Sequence, residues 1–362
     1  HLTTRRQRQM CIRDRVQVGA DLRLLGQKYY TEVGLQVLPS DKIAQEDRWF
    51  GRATARYNLS TQRNISLNLN RVSDNDYFAD FGASVLAASQ RILPTTIQIN
   101  GLKNGWSYQA GYQGYQVLQD LGAPILPPYE WSPKFALSKN TDFLIGYRET
   151  DITLNAEATH FTHPSLTDGT RLIGKANLST PFNLGPIRLV PAANLHYTLY
   201  RKSKDGSLSE TTKRFNINQS LLGVYANNTD NSKSSYERLV PGVSVELSSA
   251  LERKSEFRGK AYTNTIEPML FYAFTPYHNQ DNFPVFDTSS VTSSLAQLLS
   301  ETSFFGDDRV ADKNFLTAAL TTRFLDDEGF ERIRASIAQR YYFDRQRVCL
   351  LYTSPSPRDL LK

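Results

Sequence analysis

Apolar and polar residues alternate one by one along most of this chain, and no stretch of about 18 residues is apolar enough to cross a bilayer as a helix. Ile65, Leu67 and Leu69 alternate with Ser66, Asn68 and Asn70, and Ile152, Leu154, Ala156 and Ala158 with Thr153, Asn155, Glu157 and Thr159. Trp49–Leu59, Ile187–Leu199 (interrupted by Pro191), Val243–Ser248 and Ile333–Ala338 repeat the pattern. A strand points successive side chains to opposite faces, so each segment predicts a strand with one apolar and one polar face. If such a chain spans a membrane, it does so as a closed sheet, because lipid offers backbone N–H and C=O groups no partners.

The connections alternate in length. Short polar turns fall at Ser60–Asn64, Gly101–Gly105 and Asn183–Gly185. Long polar loops fall at Ser73–Gly82, Asp120–Pro133, Lys202–Lys213, Asn227–Glu237 and Tyr277–Lys313, and Val291–Leu299 has room for a helical turn or two. Short turns at one rim and long loops at the other are expected of an outer-membrane barrel. Many tyrosines and tryptophans fall near strand ends, as in an interfacial girdle, although aromatic residues suit any strand. Alternation and aromatics alone fit a membrane barrel and a soluble β protein equally. Pro191, Pro241 and Pro268 lie inside strand-like runs, and each marks a bulge, a strand start or a weakened pairing.

Both ends differ in character from the interior. Residues 1–15 are Arg-rich without a period, and residues 348–362 carry Ser354-Pro355-Ser356-Pro357. Both resemble translated sequencing-adapter read-through and are expected to lie outside the fold. The two cysteines, Cys11 and Cys349, fall in these ends, so the interior offers no disulfide and no Cys-based metal site. The formal net charge of +6 drops to +1 without them, which removes the case for a nucleic-acid partner.

Several polar motifs occur in order. Asn70-Arg71-Val72 leads into Ser73-Asp74-Asn75-Asp76-Tyr77-Phe78-Ala79-Asp80. Leu251-Glu252-Arg253 precedes Glu267-Pro268, then Gln280, Pro284 and Asp287, and then Gly306-Asp307-Asp308-Arg309 with Asp312 and Asn314. This colinear series, over about residues 20–343, resembles the lipopolysaccharide-assembly outer-membrane protein family (LptD). The resemblance implies an all-β fold, an antiparallel transmembrane β-barrel segment over residues 16–347, lacking the first and last strands. It implies about fourteen to sixteen strands, and a lateral seam and cysteine pairs that lie outside this stretch. A fragment without its seam strands is expected to expose edges and to fail as a stable monomeric barrel.

The implied role is transport of lipopolysaccharide across the outer membrane of a Gram-negative bacterium, without bond chemistry, catalytic residues, metal or cofactor. The implied partners are lipopolysaccharide, outer-membrane lipid, a plug lipoprotein (LptE), and a periplasmic bridge protein (LptA) reached through an N-terminal domain beyond this stretch. A different outer-membrane channel or receptor barrel, or a soluble carbohydrate-binding β protein, stands as the alternative. The residues implied for loop or lumen roles are Ser73, Asp74, Tyr77, Phe78, Asp80, Glu267, Pro268, Gln280, Pro284, Asp287, Gly306, Asp308, Arg309, Asp312 and Asn314. Their carboxylates suit hard cations, but an Asp–Arg network folding long loops is the simpler expectation. His160 and His163 lack nearby ligands and read as structural or solvent-facing. No nucleophile elbow or phosphate-binding loop is present.

Overall fold

The alternation becomes sheet. This computed structural model describes residues 16–41, 44–82, 89–120, 122–145, 148–217, 233–257, 259–291, 294–298, 300–301, 303–348 and 350. The termini singled out above fall largely outside that set. The main sheet is antiparallel and has 16 strands. Contacts group the chain into two compact units, His1–Gly101 with Gly111–Pro127, and Leu102–Ala110 with Pro128–Lys362.

The first unit contains β1 (Val18–Leu25), β2 (Tyr29–Asp41), β3 (Glu46–Ser60) and β4 (Arg63–Val72). It shares β5 (Ile92–Lys103) and β6 (Trp106–Val117) with the second. Register places Leu22, Val33, Ala53 and Leu69 in one row, and Arg23, Glu32, Thr54, Asn68 and Thr96 in the neighbouring one. Between β4 and β5 lies α1 (Tyr77–Phe81), whose Tyr77 and Phe78 are buried with Val72, Leu93 and Leu118.

The second unit continues with β7 (Glu130–Ile145), β8 (Arg148–Thr162), β9 (Asp168–Ser179), β10 (Phe182–Leu184) and β11 (Ile187–Lys204). After α2 (Leu208–Phe215) come β12 (Ser235–Ser249), β13 (Leu251–Phe257) and β14 (Lys260–Thr275). The segment 276–312 carries a two-stranded ribbon, β15 (Ser289–Ser290) with β16 (Phe304–Phe305), and the one-turn helix α3 (Leu295–Leu298). The sheet ends with β17 (Lys313–Asp326) and β18 (Glu331–Tyr342). Ile152, Leu178, Ala193, Val243 and Phe274 form one apolar row across five strands.

The apolar rows are not covered by protein: Leu22 is 53% exposed, Val243 49% and Ile337 71%. No second sheet or helix layer buries them among the described residues. Contiguous greasy surface of this kind belongs against hydrocarbon.

All three prolines sit where a ladder stops, because proline has no N–H to give. The β9–β11 ladder begins at Ser179↔Ala192, one residue past Pro191. The β12–β14 ladder ends at Val243↔Phe274, two residues past Pro241. Pairing to β14 lapses between Ser248↔Met269 and Leu251↔Ile266, beside Pro268. Several connections differ from expectation. The loop placed at Asp120–Pro133 ends at residue 129, because a register shift between Trp131 and Lys134 lets β7 absorb Pro133. The loop placed at Lys202–Lys213 contains α2, capped by the Ser207 hydroxyl accepting from the Glu210 N–H. Of the loop expected at Asn227–Glu237, residues 227–232 lie outside the described set and Ser235 onward is β12.

Candidate functional site

The densest polar constellation is in the second unit, where segment 276–312 meets one face of β9, β11 and β12. That face is set by register: Tyr200 lies between Arg171 and Tyr236, and Thr198 between Ile173 and Arg238. The Arg171 guanidinium is 1% exposed and grips two loop carboxylates. It donates to Asp287 at 2.6 and 2.7 Å and to Asp308 at 2.7 Å, and also pairs with Glu157 at 3.2 Å. Asp308 is fully buried and accepts further bonds from the Phe286 and Asp287 N–H groups, each at 2.8 Å, and from the Tyr200 hydroxyl. Arg238 donates to the Gln280 side chain and to the carbonyls of Asp307 and Asp308. Gln280 closes the circle: its side chain accepts from the Val310 N–H and donates to the Val310 carbonyl. Arg309 donates to the carbonyls of Phe283 and Pro284.

Rings fill the spaces between these bonds. Phe286 stacks on Phe161 at 4.6 Å, and Phe283 meets Tyr200 edge-on at 5.6 Å. Gly306 sits at φ +76°, and a Cβ there would lie 2.6 Å from the Asp287 carbonyl oxygen, so both backbone and space demand glycine. Further along, Arg340 donates to the carbonyls of Gln297, Leu298 and Ser300 at the end of α3. Glu301 bridges Lys313 and Asn194, both at 3.3 Å. The segment is therefore fastened to five strands, β9, β11, β12, β17 and β18.

Two carboxylates sharing one guanidinium cannot be equal. Burial works to raise Asp308, but Arg171 and two backbone N–H groups outweigh it and hold the group low, at about 2. Burial and the neighbouring Asp308 charge push Asp287 up, to about 6. Its side chain remains 37% exposed, so water screens part of that push.

A second constellation forms in the first unit. Arg48 donates to Asp74 at 2.9 and 2.6 Å and to Asp80 at 2.8 Å, and pairs with Asp41 at 3.4 Å. Its guanidinium lies 4.8 Å from the Phe81 ring centre and 5.7 Å from that of Tyr77. Ser73 accepts from the Trp49 N–H and donates to Asp74. Burial raises Asp74, but the hydrogen bonds from Arg48 and Ser73 more than offset it, so its carboxyl lies below the ordinary range.

Thus Ser73, Asp74, Tyr77, Phe78 and Asp80 come together, as do Gln280, Pro284, Asp287, Gly306, Asp308 and Arg309. The other four candidates stand apart. Glu267 and Pro268 lie within β14, where Glu267 pairs with Arg323 at 2.9 Å. Asp312 accepts from the N–H groups of Arg347 and Val348, and Asn314 bridges Tyr272 and Asp344. His163 is structural, its Nδ1 accepting from the Ser165 and Leu166 N–H groups. Among the described residues no group of three or more His, Cys, Asp or Glu is arranged to hold a metal ion.

A family model described as LPS transport system D (LptD) matches residues 46–360. The chain belongs to the LptD family. It is 34% identical over 348 residues to the LPS-assembly protein LptD of Azoarcus sp. (strain BH72), covering 92% of this chain and 39% of that protein. The same-named protein of Ralstonia nicotianae is 32% identical, over 94% of this chain and 40% of the relative, and that of Bordetella avium 33%, over 94% and 42%. The chain spans about two fifths of the length of these curated relatives.

The LptD motifs visible in sequence are the loop halves of each contact. Of their strand halves, Arg48, Arg171 and Arg238 were not singled out by sequence, whereas Tyr200 and Arg340 stood out only as a strand-end aromatic and as part of the Gln339–Phe343 run. Arg171 lies 116 residues from Asp287 and 137 from Asp308, so no local spacing links them. The one available signal was parity. Each of these residues occupies the polar phase of an alternating strand, where a long cation near a loop-side end is placed to reach over the rim.

Proposed function

We propose that this chain is the middle of an outer-membrane barrel that assembles lipopolysaccharide at the cell surface, and that segment 276–312 is a strapped loop lying against the lumen wall. The observation that carries the reading is the two-faced sheet: apolar rows open on one side, and on the other polar rows with a loop fastened to five strands, most firmly by the buried Arg171 and Arg238. Translocation of an amphiphile needs both surfaces. The sugar portion passes along groups that replace its hydration, while the acyl chains stay with hydrocarbon. The work is transport without bond chemistry. A plug lipoprotein (LptE) in the lumen and a periplasmic bridge protein (LptA), reached through a domain outside this stretch, complete the proposed assembly in the Gram-negative outer membrane.

The test is complementation. The full-length protein is expressed in cells depleted of their own LptD, and newly made lipopolysaccharide is measured at the surface. Restored delivery is expected. A protein that reaches the outer membrane, folds, and restores none would refute the assignment.

A further inference from the structure

Lys139 and Arg148 are cations on the apolar face of the second unit, where strict alternation would place apolar side chains. Lys139 pairs in register with Leu154, which continues to Ala176 and Leu195, and Leu195 is 42% exposed. Its own strand neighbours on that face, Phe135 and Leu137, are 53% and 46% exposed. Arg148 shares the parity of Ile152 and Leu154 on β8, so it belongs to the same face. Neither has a carboxylate within ion-pair distance among the described residues. Each instead lies over an aromatic ring. The Lys139 ammonium is 5.4 Å from the Trp106 ring centre, and the Arg148 guanidinium is 5.1 Å from that of Phe182. Phe182 is placed on the apolar face by its pairing with Leu189, which pairs in turn with Leu247.

Both pairs stand toward the short-turn side. Trp106 follows directly on the turn at residues 104–105, Arg148 opens β8, and Phe182 precedes the turn at 185–186. A lysine or arginine without a counter-ion beside hydrocarbon is costly unless its head reaches the interface. An aromatic ring beside it favours the same depth, where apolar chain gives way to polar headgroup. What the interface supplies at that depth is the phosphodiester of a glycerophospholipid. Its negative charge matches the missing counter-ion, and its glycerol and first methylenes match the ring.

We propose that the Lys139–Trp106 and Arg148–Phe182 pairs are binding sites for the phosphate of membrane glycerophospholipid headgroups, at the short-turn edge of the apolar belt. This rests on the reading that the apolar rows meet lipid. The sites would fix the depth of the sheet in the leaflet nearest the short turns.

The experiment uses the full-length protein in nanodiscs containing a photoreactive phosphatidylglycerol, with the probe in the headgroup or at mid-chain, and crosslinked peptides mapped by mass spectrometry. Headgroup probe is expected on the peptides of Trp106, Lys139, Arg148 and Phe182, and mid-chain probe around Leu137 and Leu195. Lys139→Gln should lower headgroup crosslinking at Trp106 about five-fold, matching the ~1 kcal/mol that one basic residue contributes near anionic lipid. Lys139→Arg should restore it, and mid-chain crosslinking should not change in either variant. Equal labelling in Lys139→Gln, equal labelling by a diacylglycerol probe without phosphate, or competition by inorganic phosphate would each overturn the proposal. If the mid-chain probe labels neither Leu137 nor Leu195, the membrane reading itself fails, a result distinct from loss of the headgroup signal alone.

Discussion

Arg48 and Arg171 are both strand arginines that hold aspartates from a long loop, yet they do different jobs. The carboxylates of Arg48 lie 7, 26 and 32 residues away, and two of them reach water: the Asp74 side chain is 18% exposed and that of Asp80 47%. Arg171 closes spans of 116 and 137 residues, and its principal partner, Asp308, has no exposure. The Arg48 contact trims a loop that its neighbouring strands have already brought near. The Arg171 contact can form only after β9 to β17 are aligned, so it reports assembly of the sheet as well as loop order. Closing the longer loop costs little more entropy, since that cost grows only with the logarithm of length. The difference in consequence therefore comes from burial. A charge that loses its partner in water is resolvated, whereas one that loses it inside the protein is stranded.

The largest effect should follow from Arg171→Met. It leaves the Asp308 carboxylate buried with only its hydroxyl and backbone donors, a loss of about 3–5 kcal/mol for a broken buried pair. Hydrogen exchange should show protection lost across 276–312 and unchanged across 73–82. Asp308→Asn in the same chain should recover part of the loss by removing the stranded charge. If both segments loosen together, the two clusters are not independent and the comparison fails.

Arg48→Met should cost less, about 1–3 kcal/mol, because its two shorter-bonded partners, Asp74 and Asp80, can turn to water and only Asp41 stays buried. Its effect should stay within 73–82, read as faster exchange at Tyr77 and Phe78. A loss larger than that from Arg171→Met would reverse the ranking.

The same asymmetry explains what sequence could and could not reveal. Strand phase was legible because each row of side chains repeats at the spacing of two that the pleat imposes: Ile65-Ser66-Leu67-Asn68 is β4 as it stands. The aspartate motifs were legible because turn chemistry is local: the Asp74 carboxylate accepts from the Ser73 hydroxyl and from the Asp76 N–H. The partners were not legible. Arg171 sits in a run, Thr170-Arg171-Leu172-Ile173, that differs in nothing from a solvent-facing strand edge. Only the stacking of register from β8 to β12 brings it under residues 287 and 308. Glu267-Pro268 shows the converse. Sequence grouped it with the loop motifs by order, and the structure puts it within β14, where the proline limits pairing to β12 and β13.

A smaller effect, of opposite sign for Asp287 and for the pair Asp74 and Asp308, comes from pH. Asp287 titrates above its ordinary value in the folded chain. The folded form therefore holds the extra proton between the ordinary aspartate value and about 6, and stability from this group is lost as pH rises through that window. Asp74 and Asp308 titrate below their ordinary value, so what they contribute is present above it and is lost only as pH falls toward their lowered values. Going from pH 7 to pH 5 should therefore slow protease cleavage within 276–312 and leave 73–82 unchanged. Asp287→Asn should abolish the change. Faster cleavage of 276–312 at pH 5 would show that the Arg171–Asp287 ion pair, rather than the repulsion between Asp287 and Asp308, governs this end of the loop.

The smallest effect belongs to Lys175, which reaches Asp307 at 2.5 Å from the same β9 face as Arg171, beyond Ile173. Both side chains keep contact with water, at 38% and 26% exposure, so solvent screens the attraction. The Asp307 carbonyl is held by Arg238 whether or not Lys175 is present. Lys175→Gln should therefore cost no more than about 1 kcal/mol, and raised salt should erase the difference between variant and parent. The Arg171 effect, formed around a carboxylate with no exposed surface, should survive the same salt. If salt abolished both, the Asp308 site would have to be open to water in solution, and the contrast between a rim pair and a buried strap would disappear.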